Sequence, residues 1–180
     1  MARVLFIQRK DLLTFTGANG NVNTDKLLPS IQMAQDIDIQ RLIGTDLYEK
    51  LKSDITGNTL TGDYLELVDT YIKPCLIHYS MMYALPYLSI TIANGGVYRN
   101  SAENAQSLSK DEIDYLVEKE RDSAQYYSTR LIDYLNYNAA SKFSEYYTNS
   151  NEDISPESQD NFGGWVLNNW YERLGKRKWK

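Results

Sequence analysis

The chain has 180 residues, a formal net charge of −5 and a single cysteine. That length suits one domain with room for an appendage, and one thiol excludes an internal disulfide framework. From Trp165 onward five basic residues face one acid, a surplus of +4 that leaves −9 on residues 1–164. A body that acidic repels nucleic acid and argues against a DNA-binding domain.

The opening run "MARVLFIQRKD" is too short in apolar residues for a signal peptide, so synthesis in a reducing cytoplasm is expected. Residues 2–7 read as a short β-type or extended run, and residues 11–15 as a helical turn. "TGANGNVN" follows as a loop. Thr24 and Asp25 open a helix in which Pro29 is placed in the first turn. Leu28, Ile31, Met33, Ala34 and Ile37 give it an apolar face, continued by Ile39, Leu42, Ile43, Leu47, Tyr48 and Leu51. Gly44 followed by Thr45 breaks and recaps that segment.

"TGNTLTGD" is a turn, after which Tyr64, Leu65, Val68, Tyr71 and Ile72 restore helical spacing. Pro74 lacks an amide and kinks or restarts the helix. Residues 75–93 are long enough to span a membrane, but they carry His78, Ser80, Pro86, Ser89, Thr91 and three tyrosines. A helix buried in a protein core fits better. Asn94, Gly95 and Gly96 are expected to stop it as a C-cap, with a polar loop or hairpin beyond.

Ser109 and Glu112 have the spacing of a capping box, with Leu108 and Ile113 placed as a hydrophobic staple. The helix they open has Ile113, Leu116, Val117, Ala124, Tyr127, Leu131, Tyr134 and Leu135 on one side and charged residues on the other. It is expected to run to about Asn136. Residues 148–161 are polar, with one proline, and read as a flexible linker.

The last stretch, "FGGWVLNNWYERLGKRKWK", is unlike the rest. Trp170, Leu174 and either Val166 or Leu167 fall at helical steps, which suggests a short amphipathic helix. Trp165, Leu167, Trp170, Tyr171, Arg173, Leu174, Lys176, Arg177, Lys178 and Trp179 are the expected partner-docking residues. An aromatic, basic tail suits an acidic surface with apolar pockets, on a neighbouring subunit or the next layer of an assembly. Folding back on its own body, or contact with DNA or a membrane, are the alternatives. The organisation is therefore a mainly α body of three or four principal helices with a short extended or hairpin element (1–147), a linker (148–161) and a docking tail (162–180).

Little in the sequence points to catalysis. His78 is the only histidine and sits in the most apolar helix, where it reads as a core residue. Cys75 is one helical turn away, but nothing supplies the orienting third group of a Cys–His pair. One Cys and one His do not make a zinc site, and no phosphate-binding glycine loop is present. No enzyme activity, cofactor or metal is expected. The 15 tyrosines exceed what a core needs and favour surfaces that become covered.

"KLLPSIQMAQDIDIQRLIGTDLYEKL" has an Ala-Gln pair (Ala34, Gln35), an Ile-Gly pair (Ile43, Gly44) and a Leu-Tyr pair (Leu47, Tyr48) before a final Leu. With "ALPYLSITIANGGVYRN" and "LSKDEIDYLVEKERDSAQYYSTRLIDYL", it resembles the helical head–tail connector proteins of tailed phages of Bacteroidetes, including crAss-like phages. The resemblance covers most of residues 20–147 and leaves out the tail. It implies a structural virion protein made in the bacterial cytoplasm and placed in the phage neck. Its partners would be further copies in a ring, a dodecamer, together with the portal protein and neighbouring neck or tail proteins. Genome DNA would pass through without specific binding, and no membrane would be involved. An acidic lumen suits such passage. An accessory DNA-binding protein using the basic tail is the alternative.

Overall fold

The computed structural model describes residues 4–18, 22, 24–94, 96–99, 108–148 and 153–156, with the backbone of 161–162 and 165–166. The chain is mainly α-helical. After an N-terminal segment without strand structure, bent at Phe6 and Ile7 where an extended run was expected, come α1 (Arg9–Phe15) and α2 (Thr24–Ala34). A π-helical stretch, Gln35–Ile39, joins α2 to α3 (Gln40–Ile43) as one continuous rod. Gly44 then turns the chain with φ 78° and ψ 161°, a conformation open only to glycine, and α4 (Thr45–Thr56) begins.

A second rod is built the same way. α5 (Gly62–Glu66) passes through a π-helical stretch, Leu67–Ile72, into α6 (Lys73–Leu88). In the widened turn the Lys73 amide donates to the Val68 carbonyl, five residues back. The widening lies directly before Pro74, which has no amide to continue the ordinary ladder. Pro29, by contrast, lies inside α2, beyond the first turn where the sequence reading put it.

α6 ends at Leu88, earlier than expected. β1 (Ile90–Ala93) pairs antiparallel with β2 (Gly96–Arg99). Asn94 therefore lies at a hairpin turn and not in a helix C-cap, because β-branched Ile90, Thr91 and Ile92 favour the extended ladder. α7 (Lys110–Lys142) is longer than its expected end at Asn136. Its 33 residues reach about 50 Å at ~1.5 Å each. The capping box is present: the Ser109 amide donates to Glu112 Oε2 at 2.8 Å, and the Glu112 amide donates to Ser109 Oγ at 3.3 Å. Leu108 remains largely exposed. α8 (Ser144–Thr148) follows Phe143.

α6 packs against α2 on one flank and α7 on the other. Cys75, Leu76, Ile77, Tyr79, Ser80, Met81 and Ala84 are all buried, so α6 is covered nearly all round, as a central helix must be. No helix among the described residues is long and apolar enough to cross a membrane. Phe143 is fully buried where α7 ends, edge-on to Tyr64 at 5.3 Å. Truncating such a ring to alanine costs about 3–5 kcal/mol.

Candidate functional site

Cys75 and His78 leave α6 in different directions. Cys75 is buried, with Sγ 3.2 Å from Ser128 Oγ. Ser128 Oγ lies 3.1 Å from the Tyr79 hydroxyl and donates to the Ala124 carbonyl at 2.8 Å. Burial pushes the thiol up to about 12, which disfavours the thiolate. This is the core role expected for Cys75.

His78 departs from expectation. It is half-buried in the wall of a cleft of about 490 Å³ lined by Asp11, Phe15, Asp69, Lys73, Pro74, Ile77 and Tyr127. Its Nδ1–H donates to Glu120 Oε2 of α7 at 2.7 Å. The imidazole stacks on Tyr127, with centroids 5.4 Å apart and planes 7° from parallel. The carboxylate of α7 pulls the ring out of the apolar interior toward the α6–α7 seam. Among the described residues no group of His, Cys, Asp and Glu is arranged to hold a metal ion.

The remaining features are surfaces. On α2, Leu27, Ile31 and Ala34 are buried, but Leu28 and Met33 of the expected core face, and Ile37 in the π-helical stretch beyond it, are exposed. The helix has two apolar sides, and the sequence reading merged them. Met33 borders a groove of about 320 Å³ between α2 and the end of α6, lined also by Lys26, Pro29, Tyr83, Tyr87 and Ile90. Lys26 Nζ donates to the Ile90 carbonyl at 3.1 Å and closes one end.

Beneath this groove sits Asp38, buried, with Oδ2 lacking a hydrogen-bond partner. Burial raises its pKa, against the Tyr83 hydroxyl and the Arg41 charge, which lower it.

On the other flank of α6, α7 exposes Tyr115, Leu116, Tyr126 and Tyr137, the last 88% exposed. Asp122, Asp133, Gln125 and Arg130 surround Tyr126 in a shallow groove. No residue of α7 before Ala124 is buried. Its first turns thus present charge and tyrosine away from the core.

Residues 153–156, inside the expected linker, are bonded to the body. The Thr45 amide donates to the Ile154 carbonyl at 2.9 Å, and the Ile154 amide donates to Thr45 Oγ1 at 3.1 Å. Gln40 Nε2 and Thr45 Oγ1 both donate to Asp153 Oδ2, at 3.1 and 3.0 Å. The Pro156 ring covers Gly44, where an added Cβ would stand 2.7 Å from it. The break at Gly44 leaves the first amide of α4 without a helical acceptor, and this strap supplies one. An Ile and a Pro in an otherwise polar stretch were the signal for it.

Of the expected docking residues, Trp165 lies in a two-residue strand, Trp165–Val166, paired with Asn161–Phe162. That replaces the start of the expected helix with a small ladder. Leu167, Trp170, Tyr171, Arg173, Leu174, Lys176, Arg177, Lys178 and Trp179 lie outside the described residues.

A protein-family model, described as a family of unknown function (DUF6712), matches residues 39–155. The span takes in the Gly44 break, both faces of α7 and most of the strap. No curated protein and no solved structure matches the chain.

Proposed function

The chain belongs to this family of unknown function, DUF6712, and from that premise we propose that it is a structural subunit of a head–tail connector ring in the neck of a tailed phage. The observation that carries the reading is a pair of unlike surfaces on opposite flanks of α6. One is the α2–α6 groove with Met33 and Tyr87 uncovered; the other is the acidic, tyrosine-bearing face of α7. A closed ring is built by a heterologous contact, in which one patch of each copy meets a different patch of the next. Two unlike sticky faces meet that requirement.

The charge is consistent with it. Residues 1–164 carry −9, so a channel lined by copies of this body would repel DNA phosphates and let the genome slide. The same charge disfavours a DNA-binding accessory protein. The family resemblance carried by Ala34-Gln35, Ile43-Gly44 and Leu47-Tyr48 supports the phage assignment, with the portal protein and adjoining neck proteins as partners. Electron microscopy of the full chain, alone and co-expressed with the portal of the same phage, tests it. Rings with an open centre are expected. A monomer under both conditions, or DNA affinity that collapses as salt rises, overturns it.

A further inference from the structure

The cleft beside His78 shares no lining residue with the α2–α6 groove, and its Tyr127 meets Tyr126 of the α7 face edge-on at 5.3 Å. Phe15 stands at its mouth 67% exposed, an aromatic ring held on the surface. The opposite wall is the stacked pair His78 and Tyr127, locked by Glu120. Flat aromatic groups fixed before a partner arrives cost little further ordering on binding. Asp11 and Asp69 stand at the rim, with Lys73 paired to Asp69 at 2.5 Å. The cleft is aromatic within, and at its edge two carboxylates outnumber the one lysine.

That is the chemical complement of the chain's own end. Residues 165–180 hold +4 and all three tryptophans, while residues 1–164 hold −9 and none. An indole N–H only donates, so a buried tryptophan needs an acceptor, and carboxylates at the rim provide it. Arg and Lys beside the tryptophan meet the same carboxylates. We propose that this cleft receives the aromatic–basic tail of a neighbouring copy, a tryptophan entering between Phe15 and Tyr127 and a basic residue reaching Asp69. The proposal rests on the ring reading for the presence of that neighbour. The strap fixes the tail's origin, because residues 153–156 are bonded to Gln40 and Thr45. From Pro156 to Phe162 the chain reaches at most ~20 Å, and the ladder sets Trp165 beside Phe162, so the tail starts close to the body and its effective concentration is high.

Tryptophan emission of the full chain reports the tail alone, since the body has no tryptophan. On going from low-micromolar to near-millimolar protein, the emission is expected to shift to the blue together with self-association in sedimentation. Phe15→Ala and Asp69→Asn each weaken that association about tenfold without changing far-ultraviolet circular dichroism. A fluorescein-labelled peptide of residues 162–180 binds the full chain and loses affinity with the same two variants. Blue emission that persists on dilution means that the tail folds back on its own body and overturns the inference. So does association untouched by both variants. Rings seen by microscopy with unresponsive variants would sink the cleft and leave the ring reading standing. Variant-sensitive association and peptide binding without rings would do the reverse.

Discussion

The side-chain amide of Gln35 donates to the hydroxyl of Tyr48 at 3.1 Å, joining the π-helical stretch inside the first rod to the first turns of α4. The same Gln35 accepts from the Phe6 amide at 2.8 Å and donates to the Val4 carbonyl at 2.9 Å. Tyr48 in turn donates to Asp36 Oδ1 at 2.6 Å, and its ring lies 5.4 Å from Phe6. One buried amide thus holds the N-terminal segment onto two helices. Gln35→Ala is expected to strand the Phe6 amide and lower the urea midpoint by the equivalent of about 1–3 kcal/mol. Tyr48→Phe removes fewer bonds and should cost less, about 1 kcal/mol. Equal midpoints for wild type and Gln35→Ala would mean that the N-terminal segment is not held there.

Gly44→Ala forces a side chain into φ 78° and into the Pro156 ring. A loss of about 1–3 kcal/mol is expected from the backbone strain alone. Adding Pro156→Gly should recover only the part due to the clash. If the second change restored all of the stability, the strain at Gly44 would be negligible.

A chain ending at Asn161 keeps the strap and should melt like the full chain. A chain ending at Thr148 loses the acceptor of the Thr45 amide and both bonds to Asp153, and should melt at a lower temperature. Calorimetry of the two truncations decides this. Identical melting would mean that residues 153–156 contribute nothing.

Alkaline pH should loosen the body. Burial raises Tyr83 to about 12, helped by the charge of Asp38 and its hydrogen bond, and raises Tyr64 to about 12, helped by its bond to Glu145. Tyr48, Tyr79 and Tyr134 are shifted the same way, by burial first. Unfolded tyrosines ionise near pH 10, so above it the unfolded chain binds fewer protons than the folded one. Stability is therefore complete below pH ~10 and falls as pH rises toward the folded values. Urea midpoints at rising pH should decline, and Tyr83→Phe should flatten the decline.

Ser109→Ala should speed hydrogen exchange of the first α7 amides more than it lowers the global midpoint, because those turns have no buried residue to anchor them. Bonds from the Ser109 amide and hydroxyl hold Glu112 below the ordinary carboxylate value of 4.5. Their contribution is present above that value and fades as pH falls through the lowered one, so acid should also speed exchange there.

Local chemistry was legible without the fold. Ser109 and Glu112 define a helix start within four residues, Gly44 marks a break that only glycine tolerates, and alternating apolar steps placed Leu47, Leu51, Leu131 and Leu135 in a core. These features depend on neighbours close in sequence. What tertiary structure decided depends on distance across the chain. Spacing alone does not tell that α2 has a second apolar side with no cover at Met33, since periodicity counts apolar residues and not the helices available to bury them. Glu120 draws His78 from core to cleft across 42 residues, and Thr45 captures Ile154 across 109. Each joins distant segments through polar contacts, and a sequence holds no local pattern for a partner that only packing brings near.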